Sequence, residues 1–97
     1  MKMFVWNDEK NQKLQLERGI SFELVVSQIE AGRILDILEH PDQDRYPGQR
    51  LIVLDIDGYA FLVPFVENEK EIFLKTVIPS RKATKQYLKG DNDEQAR

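Results

Sequence analysis

Three β-rich runs, Arg50–Asp55, Tyr59–Val66 and Glu71–Ile78, follow one another with only Asp57-Gly58 and Glu67-Asn68-Glu69-Lys70 between them. Both connectors have the length and chemistry of hairpin loops, so the natural assembly of this half of the chain is an antiparallel meander. Leu51, Val53, Tyr59, Phe61, Val63, Ile72 and Leu74 alternate or run apolar, which provides a face able to receive a helix and build a core.

The first half supplies that helix. Asn7 is an N-cap followed by Asp8 and Glu9, acids that complement the dipole of a first turn, and Gly19 is a left-handed stop after Arg18. Helix 1 is therefore expected over 8–18. Only Leu14 and Leu16 are strongly apolar in it, so it should lie on the surface. Phe4 and Trp6 before it alternate like one buried face of a short edge strand. Helix 2 is expected over 22–31, with Ser21 as N-cap, Phe22, Val25, Val26 and Ile29 as its buried stripe, and Gly32 as its end. Ile34, Leu35, Ile37 and Leu38 suit either a strand or a helical continuation, and the strand is chosen because Gly32 intervenes. His40 to Gly48, with two prolines and a glycine, is a loop. Pro79-Ser80 ends the last strand and caps a short helix over about 81–88, in which Ala83 and Tyr87 share a face while Arg81, Lys82 and Lys85 stay outside. Residues 90–97 are expected to form a disordered tail. These elements make one α+β domain over 1–89, with its helices on one face of the sheet.

Chemistry is narrowed more by what is missing. At 97 residues there is enough chain for one core, and the apolar runs, such as Ala60–Pro64, fall far short of a membrane span. Met1 to Asp8 lacks the apolar stretch of about 7–15 residues found in a secretory signal, and there is no cysteine for disulfides, so a soluble cytoplasmic protein is expected. With no cysteine and a single histidine, His40, a zinc ribbon, an iron–sulfur cluster or a thiol nucleophile has no ligands to use. No glycine-rich dinucleotide or Walker-type motif occurs. The expectation is a protein that works with side chains alone, without cofactor or metal.

Charge is unevenly placed. Residues 75–89 hold Lys75, Arg81, Lys82, Lys85 and Lys89 with no acid, a net +5 inside a chain of net −3, which leaves −8 for the rest. A basic segment on an acidic body points to an anionic partner. A solvated, lysine-rich terminal helix is the plainer explanation.

Phe4-Val5-Trp6-Asn7 with Lys10 and Asn11, followed by the turn Gly19-Ile20-Ser21-Phe22-Glu23, resembles the opening of the BrnT-type toxins of bacterial type II toxin–antitoxin pairs. Ile78-Pro79-Ser80-Arg81-Lys82-Ala83-Thr84, with Tyr87 after it, is similar to that family's closing segment, and Gln49-Arg50 stands where the family has Glu-x-Arg before a strand. The resemblance covers residues 4–88. It implies a RelE-like fold, ribonuclease activity and neutralisation by a small DNA-binding antitoxin of ribbon-helix-helix type, as a homodimer or a toxin–antitoxin heterotetramer. The chain departs from the family at Thr76, where an arginine is common, with Lys75 beside it, and at Glu17-Arg18, where the family has Lys-His.

Metal-free RNA cleavage needs the 2′-hydroxyl to lose a proton, the phosphorane charge to be stabilised and the leaving 5′-oxygen to gain a proton. Arg81 and Arg50 suit the phosphate, because a guanidinium binds two phosphate oxygens at once, with Lys75 as a reserve. Lys82, also a reserve cation, would contact the RNA backbone with Lys85 and Lys89. For proton transfer, His40 has the side chain that exchanges near neutral pH, although a lone histidine before a proline is more often a solvated loop group. Tyr87 could donate to the leaving group or stack on a base, or simply pack. Glu71 is an alternative base, or a plain strand-edge carboxylate. Two other classes compete with the ribonuclease: a catalytically idle binding module that keeps the fold and partner, and a nonspecific RNA-binding or ribosome-associated domain.

Overall fold

The computed structural model describes residues 2–89, and the tail expected over 90–97 lies outside the described residues. Helix α1 (Asp8–Arg18) starts where Asn7 Oδ1 accepts from Lys10 N at 2.8 Å, and Gly19 closes it at φ 70°, donating its N–H to Gln15 O. Of its two leucines, Leu14 is buried and Leu16 is 87% exposed. Its other buried residue is Asn11. The Asn11 side chain accepts from Phe22 N at 2.7 Å and donates to Glu23 at 2.9 Å, satisfying an amide at the start of α2 (Phe22–Glu30). That bond from Asn11, with those to its own backbone and to Ser21, holds the Glu23 carboxyl below its ordinary value. Ser21 caps α2 by accepting from Leu24 N, and the helix ends at Glu30 with Ala31 as C-cap.

The sheet contains β1 (Met3–Val5), β2 (Ile34–Glu39), β3 (Arg50–Ile56), β4 (Tyr59–Glu67), β5 (Glu71–Leu74) and the two-residue β6 (Ile78–Pro79). Its order is β1-β5-β4-β3-β2, with β6 on β4 beyond the end of β5. From β3 to β5 the chain is the expected antiparallel meander, β2 extends it by pairing antiparallel with β3, and β1 joins β5 in parallel, so the whole sheet is mixed. Asp57 and Gly58 turn the β3–β4 hairpin at φ 54° and 82°, the two left-handed residues that match the twist of the strands. Asp55 Oδ1 braces that turn by accepting from Gly58 N at 2.8 Å.

Strand alternation divides the interior in two. Ile52, Leu54, Ile56, Val63, Phe65, Leu74 and Val77 join Leu14, Ile20, Phe22 and Val25 under α1 and α2, with Phe4 and Trp6 packed at the margin. The intervening residues Val53 and Ala60 face the other way and meet Ala83, with Leu35, Leu62, Tyr87 and Leu88 around them. The C-terminal helix therefore covers the opposite face from α1 and α2. This corrects the expectation of helices on one face, and its cause is that β3 and β4 are apolar on both sides, so each side needs a cover.

The end of the chain differs from expectation in two further respects. The run Glu71–Ile78 is not one strand: Lys75 N still bonds Pro64 O at 2.8 Å, but Lys75–Val77 leave the ladder before β6 resumes it. The expected helix 81–88 is a single turn, α3 (Arg81–Thr84), followed by a wider π turn over Lys85–Lys89. Among the described residues, no helix is long and apolar enough to cross a membrane.

Candidate functional site

The second face of the sheet is only partly covered, because α3 and the π turn are short. Between them and β2 a groove of about 350 Å³ remains. Leu51, Val53 and Leu62 form its floor, and Leu38, Glu39 and Pro41 form one rim. Ser80, Lys82, Ala83, Gln86 and Tyr87 form the opposite wall. Apolar walls with a few polar groups at the lip are the usual chemistry of a ligand groove.

Two hydrogen-bond systems hold the helical wall in place. Ser80 N bonds Ala60 O, Ser80 Oγ accepts from Ala83 N at 3.0 Å, and Thr84 Oγ1 donates to Ser80 O at 2.8 Å. Thr84 Oγ1 also accepts from the N–H of the fully buried Ala60 at 2.8 Å. One hydroxyl thus ties the basic segment to the start of β4. At the other end of the wall, Tyr87 donates its hydroxyl to Asp36 Oδ2 at 2.6 Å, while Asp36 Oδ1 accepts from Ile37 N. The bond to Asp36 comes first among the causes that hold the Tyr87 phenol above its ordinary value, with desolvation and repulsion by the same carboxylate adding to it. A phenol held this way is a poor proton donor. Its ring forms part of the groove wall.

The predicted site residues do not gather at one point. Arg81, Lys82 and Lys85 are exposed on the helical segment, and none forms an ion pair with another described residue. The backbone of Lys89 ends the π turn. Arg50 lies on the opposite face of the sheet. Its guanidinium is 5.2 Å from the Phe65 ring centroid, over the first core, and it donates to Glu67 Oε1 at 2.7 Å. Glu67 is also bonded by Lys2, and these two cations hold its carboxyl below the ordinary value. Lys75 rests 5.6 Å from the Phe73 ring centroid. Neither Arg50 nor Lys75 lines the groove. Lys75 and Thr76 both lie beyond β5, which ends at Leu74.

His40 leaves β2 and enters the loop. Its backbone N–H bonds Gln49 O, its Nδ1 accepts from Asp42 N at 3.0 Å, and its ring packs 4.4 Å from that of Tyr46. Glu71 is exposed beside a turn that Asn68 closes by accepting from Lys70 N and Glu71 N. Trp6 stacks on Phe22 at 5.7 Å and belongs to the core margin. Among the described residues, no three His, Cys, Asp or Glu side chains gather as a metal ion would need.

Three residues that shape this site were given no role in it by the sequence. Asp36 is one, and its signal was a lone acid interrupting the apolar run Ile34–Leu38. Thr84 entered only as part of the segment resembling the family, because its hydrogen bond depends on Ala60 arriving opposite it. Leu38 was read only as part of a strand, and it is 40% exposed at the groove rim. Comparison with protein-family models, with curated proteins and with solved structures returns no match.

Proposed function

We propose that this chain is an RNA-directed toxin of the BrnT type, a metal-independent ribonuclease that binds single-stranded RNA along its basic C-terminal face and is neutralised by a small ribbon-helix-helix antitoxin. The observation that carries the reading is a set of exposed cations, Arg81, Lys82 and Lys85, in a segment without any acid, beside an apolar groove with an aromatic wall. Cations follow a phosphate backbone and aromatic or apolar surfaces take unpaired bases, which is how single-stranded RNA is ordinarily held.

In this reading the 2′-hydroxyl gives its proton to water as its oxygen attacks phosphorus, the P–O5′ bond breaks with the leaving oxygen protonated from solvent, and Arg81 with Lys82 stabilises the charge on the phosphorane oxygens. Tyr87 is poorly placed to protonate the leaving oxygen, because its own proton is directed at Asp36. Asp42 N–H occupies His40 Nδ1, so Nε2 keeps its proton and can donate a hydrogen bond to substrate.

The test is growth after induction together with cleavage of a model RNA, for the parent chain and Arg81→Ala. Loss of one charge-stabilising donor should slow cleavage roughly 100-fold or more. An intact model RNA and unaffected growth with the parent chain would end the ribonuclease reading. A second reading, an idle module that keeps RNA or partner binding, draws support from the pairing of Arg50 with Glu67 and from Thr76 at the family's arginine position. Binding without cleavage would select it.

A further inference from the structure

We infer that the groove between β2 and the C-terminal segment is a nucleobase subsite, in which an unpaired base of single-stranded RNA lies against the Tyr87 ring and the Leu51–Leu62 floor while Lys82 takes the adjoining phosphate. The inference rests on the RNA-directed reading above and adds to it where a base is held. Three observations converge on a base.

The groove is apolar where a flat ring would lie, over Leu51, Val53, Leu62 and Tyr87, and polar only at its lip, where Glu39, Ser80 and Gln86 can meet the hydrogen-bonding edge of a base. Its helical wall is cationic. Lys82 lines it, Arg81 and Lys85 flank it on the same segment, and the single acid in the lining is Glu39 on the far rim. A nucleotide presents this same combination, an apolar ring face with a negative charge one sugar away.

The third observation concerns Tyr87 itself. Its hydroxyl is held by Asp36 across the edge of the groove, and its backbone lies in a π turn, a distortion that recurs at functional sites. The Asp36 bond pins the far end of the ring, and so the direction of its long axis, before any ligand arrives, so less side-chain freedom is lost on stacking. Asp36 is accordingly a positioning residue. An acidic amphipathic peptide would be drawn to the same cations, but it would have no use for an aromatic ring tethered at the groove wall.

The probe is a tetrauridylate RNA 2′-O-methylated throughout, so that no 2′-hydroxyl can attack, compared with a fully abasic ribose-phosphate tetramer of equal charge. Affinity is measured by titration with the full chain, and the contact is located by amide and methyl chemical shifts. The base-bearing strand should bind roughly 5- to 150-fold more tightly than the abasic one, the range expected for one stacked base. Tyr87→Leu, which keeps apolar bulk but not the ring, should remove most of that difference and leave abasic binding unchanged. Tyr87→Phe keeps the ring without its tether and should retain most of the difference. Shifts should fall on Leu38, Val53 and Ala83.

Equal affinity of the unaltered chain for the two tetramers would overturn the subsite while leaving backbone binding intact. A base preference that survives Tyr87→Leu, or that perturbs the α1–α2 face instead, would place base recognition elsewhere. Binding of neither tetramer would remove the subsite together with the RNA-directed reading.

Discussion

Replacing Thr84 by valine changes no charge and almost no volume, yet it should loosen the basic segment from the sheet. Thr84 is 2% exposed, and its Oγ1 is the acceptor for the N–H of Ala60, which is itself fully buried. Valine leaves that N–H without an acceptor, at a cost of about 1–3 kcal/mol. The other bond lost, from Thr84 Oγ1 to Ser80 O, costs less, because Ser80 O still accepts from Thr84 N at 3.0 Å. A total near 2 kcal/mol follows. For a domain of this size each kcal/mol shifts Tm by about 4–8 °C, so thermal unfolding should move down by roughly 10 °C. Thr84→Ser retains the hydroxyl and loses one methyl, so it should cost about 1 kcal/mol or less. The assay is a melt of all three proteins, with hydrogen exchange at Ala60 as the local probe. A Thr84→Val protein that melts with the parent, or whose Ala60 amide stays equally protected, would show that the hydroxyl does not hold the segment in place.

Other consequences follow from the same geometry. Phe22→Ala should cost about 3–5 kcal/mol, since the ring is fully buried and stacked on Trp6, and chemical denaturation reads this directly. Glu67 has a folded-state pKa depressed below its ordinary 4.5 by Lys2 and Arg50, so its stabilisation is present above about that pH and lost as pH falls through the folded value. Glu67→Gln should flatten the stability curve below pH 4.5, and a variant as acid-sensitive as the parent would remove this pair from the account. If Arg81, Lys82 and Lys85 follow an RNA backbone, log affinity should fall linearly with log salt, with a slope of about −0.7 per phosphate neutralised on a single strand. A salt-independent affinity would show that the basic segment is not the contact.

How much of this was readable beforehand depended on the range of the interaction. Each element between Asn7 and Leu74 was visible because its causes are local: caps at Asn7 and Ser21, a left-handed Asp57-Gly58 turn, and apolar residues at a spacing of two or of three to four. The accumulation of cations between Lys75 and Lys89 was equally plain, since charge is a property of residue type. Residues that seemed equivalent as letters separated only when the chain closed. Arg50 and Arg81 looked like partners on one phosphate, but strand alternation sends Arg50 to the α1–α2 face, where Glu67 engages it.

The groove depended entirely on tertiary structure. Its floor comes from alternate residues of β3 and β4, its rim from the end of β2, and its wall from a segment about 30 residues further along than its floor at Leu51 and Val53. Composition carried the apolar content of Leu51, Val53 and Leu62 but not the fact that they share a face left half-covered by a short helix. Asp36 and Tyr87 meet at 2.6 Å across 51 residues of chain. No periodicity announces such a pair, because it forms only after the sheet has brought β2 under the returning C-terminal segment. Local rules select the conformation of each segment, whereas the juxtaposition of distant side chains is set by how the segments pack, and the candidate site is made of juxtapositions.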